Sequence, residues 1–512
     1  MARVCVIGAG SSGVAACQVL NARGISFDCF EAGSDVGGNW RYHNDNGMSS
    51  AYRSLRANSS RKAMQYATFP IPDTCPDYLD HAMVARYLDD FVDHFRFRGR
   101  VRFRTAVTRV EPAETGGWDV TAHHRDTGVI YSERYAAVLV ANGHHWDPRY
   151  PEPAFPGADA FSGTQFHSHR YRTPERFTGQ RVLVLGIGNS ACDIAAECSQ
   201  VAARTVLAMR RGAHIVPTYL FGRPTDHLTL TRLGARAPLP LQRWAVGLLL
   251  RAARGTVTSS GLPRPDHRLL CSPPTVSDSL LGRLDRGQIV VKPAIDRFDT
   301  GRVRFADGTA EQVDTVIYCT GYKISFPFLD PALISADGNR VSLYRRVVPP
   351  GLPGLYFIGL VQPIGATMPI AEAQSEWVAD LLEERAALPA QPQMNGEIAR
   401  YRAANARRYA PSSRPAIQVD FLAYLREIAR ERQAGARRTI ARRGPGPAPR
   451  PVSSGTRTRP LRVDPARLGW LLAMRRVLDE RNPARSWTTV PSRGSAAGPH
   501  AGRTGRRNVC SS

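Results

Sequence analysis

Two glycine-rich segments carry the residues best suited to hold a phosphate. The first, Gly8-Ala9-Gly10-Ser11-Ser12-Gly13, follows the apolar run Val4 to Ile7 and opens a helical pattern that continues through Leu20. Glycine at these spacings permits a tight turn, close backbone approach to a pyrophosphate and close helix packing, while the helix N-terminus attracts the phosphate charge. After a break at Gly24 a second strand pattern, Ser26 to Phe30, ends in Glu31. A carboxylate there, twenty-three residues beyond Gly8, is where a dinucleotide fold needs an acceptor for ribose hydroxyls.

The second segment repeats the grammar. The strand pattern Arg181 to Leu185 leads into Gly186-Ile187-Gly188-Asn189-Ser190-Ala191 and then a helix from Cys192 to Gln200, with alanine in the third glycine position, an accepted variant. The following strand, Thr205 to Met209, ends in Arg210-Arg211 instead of an acid. A carboxylate would repel a 2′-phosphate, whereas a guanidinium can pair with it through two hydrogen bonds. The pair can also be read as solvated arginines in an arginine-rich chain. NADPH is favoured over NADH at the second loop, and FAD is left to the first.

These loops need sheets to carry them. The chain of 512 residues, 43% hydrophobic, is long enough for more than one domain with ample core. The expected fold is α/β: two dinucleotide-binding, Rossmann-like domains, the NADPH domain inserted into the FAD domain, followed by a disordered basic tail. The spans are 1–150 and 313–430 for the two parts of the FAD domain, 151–312 for the NADPH domain, and 431–512 for the tail. Two later apolar strands, Thr315 to Tyr318 before Cys319-Thr320-Gly321-Tyr322 and Leu355 to Ile358 before Gly359, read as the chain returning to complete the first sheet. No repeat is visible beyond the two loops. The segment Leu241 to Ala252, broken by Arg243 and Arg251, is too short to span a bilayer and reads as core or the wall of an access channel.

Nine cysteines show no C-x-x-C and no regular framework, which argues for reduced thiols in a cytoplasmic protein and against a structural zinc site or a redox disulfide. The first strand begins almost at the N-terminus, which leaves no room for a cleaved signal peptide. The net charge of +24 resembles a nucleic-acid signal until it is located. From Arg432 onward, eighteen arginines face only Asp464, Asp479 and Glu480, so most of the excess lies in the tail. No specific nucleic-acid partner is expected. The tail is rich in Pro, Gly and Ser and reads as mostly disordered. One island, Trp470, Leu471, Met474, Val477 and Leu478 flanked by Arg467, Arg475, Arg476 and Arg481, has a basic amphipathic pattern suited to peripheral membrane contact or to packing on its own domain. The sequence sets no oligomeric state.

Between the two loops lies Phe161-Ser162-Gly163-Thr164-Gln165-Phe166-His167-Ser168-His169-Arg170-Tyr171. With Phe161, Gly163, His167 and Tyr171 it resembles the identifying sequence of the class B flavin-containing monooxygenases, F-x-G-x-x-x-H-x-x-x-[YF]. The resemblance extends over roughly residues 3–430 and includes Glu31 to Trp40, Asn58-Ser59, Gly188-Asn189-Ser190, Thr320-Gly321-Tyr322 and Val361-Gln362-Pro363. Related Baeyer-Villiger enzymes carry tryptophan where Tyr171 closes the motif, so heteroatom oxygenation is favoured over ester formation from ketones.

What the resemblance implies is a cycle in which NADPH reduces FAD and the reduced flavin forms a C4a-hydroperoxide with O2. That species gives one oxygen atom to a soft nucleophile, an amine or thioether, as in N,N-dimethylaniline oxygenation. Protein groups would chiefly orient the ring and exclude water. By the same resemblance Asn58 lies nearest the reacting centre, as an uncharged hydrogen-bonding amide. Ser59, Gly38, Asn39, Trp40 and Gln362 border the flavin, and Thr320-Gly321 form a hinge between the nucleotide domains. His167 is expected to hold a linker rather than to transfer protons. A flavin disulfide reductase would share both loops but needs a dithiol. A nonenzymatic basic anion-binding protein would leave both loops without a use.

Overall fold

The computed structural model describes residues 3–229, 237, 239–254, 261–409 and 417–443, all within one compact unit, Met1–Arg462. Two five-stranded parallel sheets organise it. The first runs in the order Leu355–Phe357, Ala137–Val140, Val4–Ile7, Phe27–Phe30, Val101–Arg102. The second runs Val290–Lys292, Arg204–Ala208, Arg181–Leu185, Thr315–Tyr318, Thr164–His167. These central strands are buried throughout and mostly apolar, as expected where helices cover both faces of a parallel sheet. All strands of the second sheet lie in sequence between Ala137–Val140 and Leu355–Phe357 of the first, so the second domain is inserted in the first.

Thr315–Tyr318 corrects the expectation that two strands return to the first sheet. It pairs with Arg181–Leu185 in the second sheet, and only Leu355–Phe357 returns to the first. The reason is a repetition larger than the loops. In each half a strand, glycine loop, helix and second strand are followed by an edge strand, a three-stranded antiparallel ribbon and one more strand beside the first. The ribbons span Thr105–Pro112, Trp118–His124 and Ile130–Tyr135 in one half, and Ile295–Asp299, Arg302–Phe305 and Ala310–Gln312 in the other. Thr315–Tyr318 is thus the counterpart of Ala137–Val140. Each is paired with the strand that carries the glycine loop.

The helix Ser11–Ala22 packs its buried face against Met368–Leu382, whose Trp377 is fully buried. A long helix, Phe421–Arg443, packs on Met368–Leu382 in turn. It crosses the boundary expected at residue 430: Glu431 is buried there and accepts the hydroxyl of Tyr344 at 2.7 Å. The tail segment around Trp470 lies outside the described residues. No described helix is long and apolar enough to cross a membrane. The segment read as core or channel wall is the helix Leu239–Arg254, and Leu241, Trp244 and Leu248 on it are 52%, 65% and 54% exposed, so that face is not core.

The two connections between the domains pair with each other. Tyr322–Lys323 runs antiparallel to Asp147–Pro148. The Thr320 hydroxyl donates to the Arg149 carbonyl, and the Arg149 N–H donates to the Gly321 carbonyl at 3.0 Å.

Candidate functional site: a glycine-floored cavity and a second nucleotide loop

A cavity of about 580 Å³ opens at the carboxyl ends of the first sheet's strands, the usual place for a ligand in an open α/β sheet. Its floor is backbone. Gly8 adopts φ +97°, and a Cβ there would come 2.8 Å from the Ala141 carbonyl oxygen. A Cβ on Gly10 would meet only the Gly38 Cα, at 3.7 Å, so the space above Gly10 is open. Gly13 faces the opposite constraint, since a Cβ would overlap the Gly8 carbonyl. The first glycine makes the turn, the second leaves room for a ligand and the third lets the helix close on the loop.

Glu31 stands at the end of the second strand, 4% exposed. It accepts the Ala9 N–H and the Gly33 N–H, both at 2.7 Å, and the Asn46 side-chain amide at 3.1 Å. Burial raises its carboxyl above the ordinary range, and those three donors pull in the other direction. Oε2 accepts one protein N–H, so one of its lone-pair positions remains for a hydroxyl. The turn Gly38–Trp40 borders the same cavity. There the Asn39 carboxamide oxygen accepts both the backbone N–H and the hydroxyl of Ser50, so it fixes the turn. Asn58 and Ser59 reach the cavity from a short strap, with the exposed Arg56 beside them. Gln362 enters from a strand paired with Gln418–Asp420.

Sequence reasoning missed three lining features. Asn46 supports Glu31. The N-terminus of Met368–Leu382 faces the cavity through Thr367 and Met368, and Pro369 in its first turn was the readable signal. His144 also lines the wall, and its buried Nε2 has no hydrogen-bond partner among the described residues. Burial pushes its imidazole down to about 4, against a weaker opposing pull from the Gln362 side chain.

The second loop has the same build. Gly186, at φ +138°, passes so close to Cys319 that a Cβ would lie 2.6 Å from its carbonyl oxygen. Gly188 precedes the helix Asn189–Cys198, Ser190 sits in its first turn, and Ala191 is buried. The Asn189 side chain accepts the Val276 N–H at 2.8 Å, which ties the helix start to the chain beyond it. Arg210 and Arg211 are exposed just past the Arg204–Ala208 strand. Arg211 lies 3.3 Å from Asp266 with both side chains about half exposed, a weak pairing that an arriving phosphate can displace. Thr320 and Gly321 belong to the paired connections and are not among the residues lining the large cavity.

The Phe161–Tyr171 segment supplies the edge strand Thr164–His167 of the second sheet. Gly163 is bare because a Cβ would come 2.5 Å from both the Phe161 ring and the Asp314 carbonyl. His167 is fully buried, accepts the His169 N–H at Nδ1 (3.1 Å) and lies edge-to-face with Tyr322 at 5.1 Å. Its burial brings the imidazole down to about 4. Tyr171 is fully buried and donates to the Glu197 carboxylate at 2.6 Å.

Two glycine loops, each at the end of a strand in its own parallel sheet, are the build of an enzyme that holds two dinucleotides. The Flavin-binding monooxygenase-like family matches residues 1–440. The chain is 36% identical over 450 residues to flavin-containing monooxygenase 5 of Oryctolagus cuniculus, covering 83% of this chain and 82% of that protein. It is 34% identical over 442 residues to dimethylaniline monooxygenase [N-oxide-forming] 2 of Mus musculus, covering 84% and 82%. Among solved structures it is similar to S-allyl-L-cysteine S-oxygenase from Allium sativum, at 28% identity and a TM-score of 0.64, over 84% of this chain and 88% of that one. The chain therefore belongs to the flavin-binding monooxygenase family and is an FAD- and NADPH-dependent monooxygenase. Membership sets aside the nonenzymatic anion-binding reading.

His144 and His167 give a pH dependence with a defined sign. Their native pKa values, about 4, lie below that of a free imidazole, so the unfolded chain binds more protons as the pH falls from about 6.5 towards 4. Their contribution is fully present above pH 6.5 and is lost through that window. The thermal midpoint should fall over it, and His167→Gln should flatten the fall by about 1–3 kcal/mol at the acid end. Thermal unfolding between pH 4 and 8 checks this, and parallel curves for the two proteins would clear His167 of the effect.

Proposed function

We propose that the protein transfers one oxygen atom from O2 to a soft nucleophile, an amine nitrogen or a thioether sulfur. In this reading FAD occupies the cavity over Gly8–Gly13, with Glu31 accepting ribose hydroxyls. NADPH lies on Gly186–Ala191, with Arg210 and Arg211 reading its 2′-phosphate. The residues fit such groups: the space above Gly10 suits a pyrophosphate, Oε2 of Glu31 keeps accepting capacity, and two helix N-termini face the cavity. When bound, FAD reduced by NADPH supplies activated oxygen by the C4a route that the family resemblance implies.

The observation that carries the reading is the set of uncharged polar groups on the wall, where Glu31 and the exposed Arg56 are the only charged members among the described lining residues. Asn58 and Gln362 present amides, and His144 is kept uncharged by burial. These three groups donate and accept hydrogen bonds without adding a full charge, which suits transfer to a nucleophile that needs no side-chain base. The N-oxide-forming and S-oxygenating relatives support this substrate class. Ketone oxygenation is the runner-up. NADPH oxidation across amines, thioethers and ketones, with peroxide release measured alongside product, separates the two. Coupled turnover confined to ketones would reject the proposal.

Gly10→Val should fold yet lose its flavin. The protein leaves room for a Cβ at Gly10, so the added methyls would fill the ligand's space and not the core. Normal FAD content in the purified variant would refute the first-loop assignment.

Coenzyme choice should rest on the arginine pair. Replacing Arg210 and Arg211 with Ala should weaken use of NADPH by about 1.5–3 kcal/mol in kcat/KM, the scale of a lost charged hydrogen bond, with little effect on NADH. Equal losses for both coenzymes would show that the pair does not read the 2′-phosphate.

Asn58→Leu should keep FAD and accept hydride, because neither glycine loop is altered. NADPH consumption should persist while oxygen emerges as hydrogen peroxide, since an amide would be lost from a site that must protect activated oxygen. Wild-type coupling of NADPH to sulfoxide or N-oxide would remove Asn58 from the mechanism.

A further inference from the structure

The strap that brings Asn58 and Ser59 to the cavity is anchored from both domains. On its own side, the Ala57 N–H donates to the Leu79 carbonyl at 2.8 Å, and the backbones of Arg56 and Asp80 form an isolated antiparallel β-bridge. The other end is Ser60, fully buried. Its N–H donates to the Asp226 carboxylate at 2.7 Å, and its hydroxyl lies 3.0 Å from Nε2 of His227. Asp226 and His227 belong to the short helix Thr225–Thr229, in the second domain's excursion between Arg204–Ala208 and Val290–Lys292. An N–H held by a carboxylate is among the stronger neutral-to-charged contacts a loop can make.

The helix is itself fixed against the strap's neighbours. The Thr225 N–H donates to the Thr218 carbonyl at 2.8 Å and its hydroxyl to the Pro217 carbonyl at 2.7 Å. The Tyr78 hydroxyl donates to the same Thr218 carbonyl at 2.6 Å. Tyr219 donates to Asp77 at 3.3 Å and meets Tyr78 edge-to-face at 5.4 Å, while Asp77 also accepts the Arg61 N–H through its backbone. Residues 57–61 and 77–80 of the first domain and 217–227 of the second thus form one clasp.

We propose that Asp226 and His227 are positioning residues, which set the placement of Asn58 in the flavin cavity from the nicotinamide-binding domain. The inference rests on the Asn58 reading above. Asp226 and His227 touch neither cofactor nor substrate in it and act through Ser60. The coenzyme domain thereby holds the group that governs where activated oxygen goes.

The test uses the full-length holoprotein and two readouts. Hydrogen exchange across residues 57–62 should quicken roughly tenfold in Asp226→Ala, the scale of one lost charged hydrogen bond, while the first sheet's peptides and FAD content stay as in wild type. The milder Asp226→Asn covers the case in which the alanine variant folds poorly, and His227→Gln should come close to wild type where His227→Ala does not. The peroxide fraction of NADPH turnover should rise severalfold in Asp226→Ala without a change in KM for NADPH. Combining it with Asn58→Leu should add no further uncoupling. Unchanged strap exchange, or additive uncoupling in the double variant, overturns the proposal. Wild-type coupling in Asp226→Ala beside an uncoupled Asn58→Leu overturns the clasp alone. Wild-type coupling in Asn58→Leu overturns the Asn58 reading and the clasp's effect on oxygen with it.

Discussion

Backbone meets backbone on the floor of the first cavity, and the rest of the site is arranged around that approach. A Cβ on Gly38 would stand 2.9 Å from the Gly10 Cα, so two loops share a contact that only glycine allows. Holding it requires both loops to be fixed from behind. Glu31 does so for the first through the Ala9 N–H, and the Gly37 N–H returns to the Ala9 carbonyl at 3.0 Å. Behind the loop, Gly13 lets the helix Ser11–Ala22 close on Gly8, and that helix is held in turn by Met368–Leu382. A bare floor is costly in chain entropy. It is sustained by a core that binds the loop's neighbours on every side.

The local features of this arrangement were legible. Glycine spacing, the acid at the strand end and the arginines at its counterpart follow from rules that act over twenty-odd residues. Sheet membership is not such a rule. Thr315–Tyr318 and Leu355–Phe357 read alike, as short apolar strands before a glycine, yet they belong to different sheets. The antiparallel ribbon before Thr315, which mirrors the one before Ala137, was the clue, but its exposed alternating strands give a weak sequence signal. The contact of Ser60 with Asp226 spans 166 positions and has no local signature at all. His144 likewise became visible only when the fold turned it into the cavity wall.

The identifying segment finds its meaning at the junction of the domains. Its edge strand completes the second sheet as Leu355–Phe357 completes the first, so each sheet is closed by a strand from the chain that links it to the other. His167, at the end of that strand, sits between Tyr150 and Tyr322, one from the outgoing and one from the returning connection. A buried imidazole that stays neutral can donate and accept there without the desolvation cost of a charge. Such a residue ties the outgoing connection to the returning one.

Tyr171 fits the same logic. It is buried against Phe177 and Tyr52, bonds Glu197 on the helix Asn189–Cys198, and does not line the large cavity. A tryptophan at this position would have to place a larger ring in a filled space and would present an N–H donor that cannot also accept. The difference between tyrosine and tryptophan at the close of the motif therefore bears on how the linker grips the helix that follows the second glycine loop.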